Sequence, residues 1–312
     1  MKMFKHILTF ALLLLVNLLF AQQEPAITQY MFNHLAINPA YAGNHAQLSA
    51  TLYHRDQWVN FPGAPNTQSF TAHSGFYQSK VGVGLMMTRD EIGIHQEYSM
   101  YGSYSYKIKM SKGTLSMGLQ AGFSHLSSDF DKLNIRSTAD PFLTGTRTKF
   151  NPNFGVGVYY HTDDMFLSAS VPYILNNEIV NVDEIGAALE SLAEEKRSYY
   201  LMGGKTFKPN RNLLIKPSLL IHLQDGAPLT FNANLSFVLK ELVSLGVSYR
   251  HQDAIVYLIQ VKINENFALG YAYDMTLTDI NQFSRGTHEL MLNYRVKLGR
   301  IHKGVPCPAY FL

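Results

Sequence analysis

One property constrains this chain more than any other. From residue 46 to residue 297, large apolar side chains return at every second position, in segments of about ten residues. Leu115, Met117, Leu119, Ala121 and Phe123 alternate with Ser116, Gly118, Gln120, Gly122 and Ser124. Leu229, Phe231, Ala233, Leu235 and Phe237 alternate with Thr230, Asn232, Asn234 and Ser236, and the same rhythm holds in Val243–Arg250, Phe267–Asp274 and Glu289–Lys297. A period of two places each set on its own face of a β-strand. A soluble sandwich alternates as well, but its strands average five or six residues. Ten residues suit a tilted strand crossing a membrane. A second face of small, polar and charged residues suits the lumen of a barrel.

The alternation predicts strands at 46–56, 67–76, 81–89, 96–109, 114–125, 151–161, 165–172, 198–207, 211–222, 228–239, 242–251, 254–263, 267–275 and 286–297. The expected fold is therefore all-β: a transmembrane antiparallel β-barrel of about fourteen strands, an even number as in bacterial outer-membrane barrels. Connections after the even-numbered strands are short, such as Tyr77–Lys80, Met110–Gly113 and Thr162–Asp164. Most others are longer, above all 126–150, 173–197 and 276–285, although 223–227 and 252–253 are brief. Short turns on one side mark the periplasm, so both termini are expected there. Asp183 to Glu195 carries Ile185, Ala188, Leu189 and Leu192 at helical spacing, as an amphipathic piece of its own loop or as a lid or plug.

The first residues follow another logic. Lys2 and Lys5 precede an apolar run, Ile7 to Phe20, closed by Ala21. This is the pattern of a secretory signal peptide, 1–21. The expected division is then a periplasmic N-terminal segment at 22–44, the barrel at 45–298 and a periplasmic tail at 299–312. Loss of Lys2 and Lys5 lowers the net charge from +3 to +1, which offers nothing to nucleic acid. Cys307 is the single cysteine, so no internal disulfide forms.

Candidate chemistry is sparse. The histidines show no HxxxH or HxH spacing for a metal. Asp163-Asp164 falls in a short turn, where Asp serves the backbone. Arg89-Asp90-Glu91 is placed where a strand leaves for an outer loop. No nucleophile motif or phosphate loop is present. Gly82, Gly84, Gly155 and Gly157 alternate within strands and relieve crowding inside the barrel. The inward face carries Arg55, Lys107, Lys216, Arg250, Lys262, Arg295 and Lys297, with Asp274 and Glu289. On lipid each such charge would cost ~2–4 kcal/mol; inside they pair with one another or line a polar path. Asn38 to Gly43 reads as a periplasmic turn below the barrel, Pro39 excluding helix at its predecessor. Ser49, Thr51, Tyr53 and Arg55 then face inward, Leu48, Ala50 and Leu52 face lipid, and Trp58 reaches the aromatic girdle at the far end.

Several stretches resemble one family. Gln29-Tyr30-Met31-Phe32-Asn33 and Ile37-Asn38-Pro39-Ala40-Tyr41-Ala42-Gly43 are similar to the start of the PorP/SprF family. So are Arg55-x-x-Trp58 with Gly63-Ala64-Pro65-x-Thr67-Gln68, Asp90-x-Ile92-Gly93, Pro217-Ser218, Gly226-Ala227-Pro228 and Gly270-Tyr271-Ala272-Tyr273-Asp274. Gly286-Thr287-His288-Glu289-Leu290-Met291-Leu292 fits as well. The tail Pro306-Cys307-Pro308-Ala309-Tyr310-Phe311 departs from the family's Pro-Arg-Tyr-Phe ending, with Ala309 for the usual Arg and Leu312 added. The resemblance implies an outer-membrane barrel of the type IX secretion system, in some members tied to gliding motility. Its partners would be membrane lipid and a secreted adhesin or other secretion components. It implies no enzymatic activity, no cofactor and no metal. The motif positions Asn38, Pro39, Ala40, Tyr41, Gly43, Arg55, Trp58, Gly63, Pro65, Asp274, Gly286, His288 and Glu289 become candidates for structural or partner-contact roles. Competing readings are a channel or transporter for a small, hydrophobic solute and, third, an outer-membrane enzyme, for which no nucleophile–base pair is found.

Overall fold

The structure is a computed structural model that describes residues 27–45, 47–76, 80–132, 145–177 and 196–297. The strands are β1 (Leu48–Asp56), β2 (Asn66–Phe76), β3 (Val81–Ile92), β4 (His95–Lys109), β5 (Thr114–Asp129), β6 (Thr146–His161), β7 (Met165–Val171) and β8 (Ser198–Lys205). They continue with β9 (Phe207–Asn210), β10 (Leu213–Gln224), β11 (Thr230–Leu239), β12 (Val243–Arg250), β13 (Ala254–Lys262), β14 (Phe267–Thr276) and β15 (Thr287–Val296). Neighbours pair antiparallel in chain order, and β1 also pairs with β15 from Leu48↔Val296 to Asp56↔His288. The sheet closes on itself and leaves no edge. β9 extends β8 past Thr206, and both pair with β10. The barrel therefore has fourteen staves, as the alternation predicts.

The two faces segregate as expected. Met117, Leu119, Phe150, Phe154 and Leu167 point outward, with Leu119 61% exposed, while its neighbour Gln120 is 4% exposed on the lumen side. This inverts a soluble protein: the large apolar side chains form the outside, where lipid is their solvent. Aromatic pairs lie toward both ends of the wall, Phe123–Phe150 at 4.9 Å and Phe267–Tyr294 at 4.7 Å.

Strand ends differ from the expected bounds on the side of the longer connections. The loop expected around residues 90–95 is a tight turn, with Gly93 at φ 60°, because the ladder continues through Glu91↔Gln96 and Ile92↔His95. Arg89, Asp90 and Glu91 thus lie within a strand, not on a loop. Arg89 bonds Glu91 at 2.6 Å and the Tyr98 hydroxyl at 3.3 Å, which sustains pairing in a polar stretch. β5 and β6 pair out to Asp129↔Thr146, well past residues 125 and 151. Strands β3 to β6 run 12 to 16 residues, beyond the ~9–11 needed to cross, so this part of the wall stands proud of the bilayer. The expected helical piece at 183–195, the signal peptide and the tail at 299–312 lie outside the described residues.

Candidate functional site

The lumen is occupied by the chain's own residues 27–45. The turn expected below the barrel is not there: Asn38–Gly43 sits inside the wall, with Asn38, Ala40 and Ala42 fully buried. Burial of Tyr30, Leu35, Ala40 and Tyr41 among wall residues favours this over a solvated turn. The segment makes three single turns of 3-10 helix, Tyr30–Phe32, His34–Ala36 and Pro39–Tyr41. Asn33 and Asn38 cap the second and third, their side-chain oxygens accepting from Leu35 N at 3.3 Å and Ala40 N at 2.8 Å. Pro39 in the first turn lacks only an N–H that had no helical partner.

Three anchor regions hold the segment. The first lies toward the long-connection end, where Arg55, Asp274 and Glu289 meet. Glu289 accepts from the backbone N–H groups of Thr28 and Gln29 at 2.8 and 2.9 Å. Arg55 reaches Asp274 at 3.0 Å and Glu289 at 3.4 Å, and Arg250 reaches Asp274 at 3.2 Å and Asp253 at 2.9 Å. The Thr28 hydroxyl sits among them, donating to Asp274 at 3.0 Å and accepting from both arginines. Two guanidinium groups and two carboxylates thus hold one threonine, and Asp253 holds Arg250 in place. Of the two readings for the inward charges, these three motif residues realise internal pairing.

The second anchor is aromatic. His34 Nδ1 lies 3.0 Å from the Tyr159 hydroxyl, and its ring packs on Phe166 at 4.7 Å. Tyr159 stacks on Phe166 at 5.6 Å. Nearby, Asn33 donates to the Thr71 hydroxyl at 2.5 Å.

The third anchor lies toward the short-turn end. Asn38 Nδ2 donates to Val158 O at 2.9 Å, Ser168 Oγ at 2.8 Å and Ala169 O at 3.2 Å. Inner-face glycines make this approach possible. A Cβ at Gly157 would strike the Asn38 side chain, one at Gly118 the backbone of Pro39 and Ala40, and one at Gly82 the carbonyl of Ala42. Lys107 donates to Gly43 O, and Gly43 N donates to His73 Nδ1 at 3.1 Å. Tyr41 donates to or accepts from His45 Nε2 at 2.9 Å. The segment therefore descends the lumen from the long-connection end, crosses to β3–β7 and enters β1 from the short-turn end.

Four of the remaining motif residues form a second group, at the rim on the long-connection side. Trp58, Gly63 and Pro65 lie in the connection after β1, and Trp58 belongs to this loop above the strand. Gln57 N donates to Pro65 O at 3.0 Å, Val59 N to Gly286 O at 2.9 Å, and Gly93 N to Gly63 O at 3.0 Å. Three connections on this side of the barrel are thus tied into one layer. Phe61, Ile92 and Phe283 are exposed on it, Phe283 by 68%. Gly286, at φ 83°, packs where a Cβ would meet Tyr273. His288 stands apart, on the outer face of β15, with Nδ1 2.6 Å from the Tyr271 hydroxyl.

Sequence reasoning missed the other half of the first anchor, the Thr28 hydroxyl and the Thr28 and Gln29 amides. It also missed Ser168 and His73 on the receptor side of the third, and placed Lys107 on the inner face without its bond to Gly43 O. The readable signal was the run of inner-face glycines, which marks a close neighbour as readily as crowding. Among the described residues no group of three or more His, Cys, Asp or Glu is placed to hold a metal.

Comparison with known proteins identifies the family. The description "Type IX secretion system membrane protein PorP/SprF" matches residues 19–294. The chain belongs to the PorP/SprF family. That match takes in the lumen segment together with the wall, so the filled barrel lies within the region that marks a PorP/SprF protein. No curated protein matches. Solved structures of similar fold are outer-membrane barrels. The CymD monoaromatic hydrocarbon channel has a TM-score of 0.49 and 9% identity, over 91% of this chain and 96% of that one. Omp33 of Acinetobacter baumannii has 0.46 and 8%, over 81% and 99%. The NanC porin has 0.42 and 9%, over 80% and 100%. At these identities the likeness concerns the fold alone.

Proposed function

We propose that this PorP/SprF barrel is a non-enzymatic accessory of type IX secretion that assists the export or surface attachment of a partner adhesin, in a cell where that adhesin serves attachment or gliding. The observation that carries the reading is the filled lumen. A barrel whose centre is held by its own chain at three anchors is built as a rigid platform. Its outer rim then offers what a protein partner uses: three loops tied together by backbone hydrogen bonds, with Phe61, Ile92 and Phe283 exposed among polar residues. Aromatic anchors on a stiff surface lose little entropy on binding. Trp58, Gly63, Pro65 and Gly286 hold the shape of this rim, and Asn38–Gly43, Arg55, Asp274 and Glu289 hold the core beneath it.

The test is deletion of the gene followed by surface proteomics and an adhesion or gliding assay. Loss of one large surface protein, restored by the wild-type gene but not by a Phe61→Ala/Phe283→Ala variant that still inserts, is the expected result. Unchanged display of every type IX cargo would refute the reading. The solute-channel reading keeps one observation in its favour, the cavity left beside the lumen segment. It would gain from solute conductance combined with normal surface display.

A further inference from the structure

The rim at the short-turn end carries an excess of cations. The turns after β2 and β4 bring Lys80, Lys109 and Lys112 to it, all exposed and in no ion pair among the described residues. Lys205, Lys208 and Arg211 stand on the hairpin from β8 to β10, and Lys297 follows β15. The carboxylates of this rim sit on three turns. Lys240 is followed by Glu241 and Lys262 faces Glu265 across three positions, while Asp163 and Asp164 share the turn after β6. Nine exposed cations thus stand with four exposed carboxylates. Among the described residues the one ion pair on this rim is Lys205–Asp164, at 3.8 Å. Toward the opposite rim, by contrast, Arg89 pairs with Glu91 at 2.6 Å and Lys132 with Asp129 at 3.6 Å.

Two features say what meets these cations. First, they are spread round the barrel, from the turn after β2 to the end of β15. A docked protein covers one arc of a rim; a lipid leaflet surrounds all of it. Second, the cations adjoin large apolar side chains exposed at the end of the wall. Ile108 and Met110 flank Lys109, Phe207 stands between Lys205 and Lys208, and Ile263 follows Lys262. The Lys205 ammonium lies 5.4 Å from the centre of the Phe207 ring. An apolar band that ends in long cationic side chains has the profile of a membrane boundary. There a lysine lays its stem along hydrocarbon and keeps its charge among the phosphates. A zwitterionic headgroup cancels its phosphate with its own cation, whereas an anionic headgroup leaves a charge for the protein. The surplus of basic groups favours the second, by attraction that acts within a Debye length of the surface.

We propose that the short-turn rim is a binding collar for anionic phospholipid, which it gathers in the leaflet on that side. The inference does not depend on the adhesin reading, since it concerns the opposite end of the barrel.

The experiment is native mass spectrometry of the full-length protein in uncharged detergent, with phosphatidylglycerol and phosphatidylcholine of the same acyl chains added in equal amounts. The protein should retain phosphatidylglycerol severalfold over phosphatidylcholine. Lys109→Gln/Lys112→Gln/Lys208→Gln/Arg211→Gln should remove most of that preference, whereas Lys132→Gln/Arg285→Gln, on the long-connection side, should leave it. A second measurement needs no variant. In vesicles, the temperature of the gel-band shift should rise when phosphatidylglycerol replaces part of the phosphatidylcholine, and molar salt should abolish the rise. Equal retention of the two lipids, a preference untouched by the four substitutions, or a vesicle effect indifferent to salt overturns the proposal. Binding of polyglutamate without any preference for phosphatidylglycerol would also overturn it, and would assign the cations to an acidic protein.

Discussion

Glu289 shows most clearly how single side chains hold this protein. Its two oxygens accept backbone N–H bonds from Thr28 and Gln29 and face the Arg55 guanidinium, at 1% exposure. Two charges so placed have given up water, and they are stable together because each completes the other. Removing one leaves the other stranded. Glu289→Gln is therefore expected to destabilise the barrel by ~3–5 kcal/mol. A clear fall in the temperature at which the folded, fast-migrating gel band converts to the unfolded one would check it. Asn38 does similar work with neutral groups: one amide nitrogen bridges β6 and β7 through Val158 O and Ala169 O. Neither role was readable in advance. Arg55, Asp274 and Glu289 were placed on inward faces by alternation, but alternation does not say that Arg55 and Glu289, 234 positions apart, meet at one threonine. Only closure of the sheet through β1 and β15 brings them together.

The strands were the most legible elements, and the lumen segment the least. Leu119 and Gln120 separate onto lipid and lumen by period two alone, so β5 could be oriented from its residues. The same logic predicts that Leu119→Arg, mid-strand on the lipid face, costs ~2–4 kcal/mol, while a change at Ser127, near the loop end of β5, costs far less. Urea titration of the protein in vesicles would measure both. The ends of β3 and β6 were harder. Arg89–Glu91 and Arg147–Lys149 are too polar to read as strand, yet they extend the ladder above the bilayer, where water accepts their charge. Residues 27–45 carry neither period 2 nor period 3.6. Their 3-10 turns are three residues each, too short to leave a helical pattern. What they leave is an imprint on the wall: Gly82, Gly118 and Gly157 stand where the segment's backbone and Asn38 press against it.

Taken whole, the molecule is a closed fourteen-stave barrel with its own N-terminal segment as a core. Most large apolar side chains of this barrel face lipid, so the lumen is stabilised by what fills it, together with buried wall residues such as Tyr159, Phe166 and Leu220. Here the filling is an ionic anchor toward one end, a ring of aromatic contacts, and glycine-backed contacts toward the other. The filled centre accounts for the polar inner face, for the glycines and for the motif residues that share no chemistry with a catalytic site. It also ties the long-connection rim to a rigid body, which suits a protein that presents a surface to a partner. Conductance across a planar bilayer tests this picture most directly. The wild-type protein should insert and hold no steady conductance. A chain lacking residues 27–45, or carrying Gly118→Leu to displace Pro39 and Ala40, should open stepwise channels. Wild-type channels as large as those of the two variants would mean that the segment does not fill the lumen in the membrane.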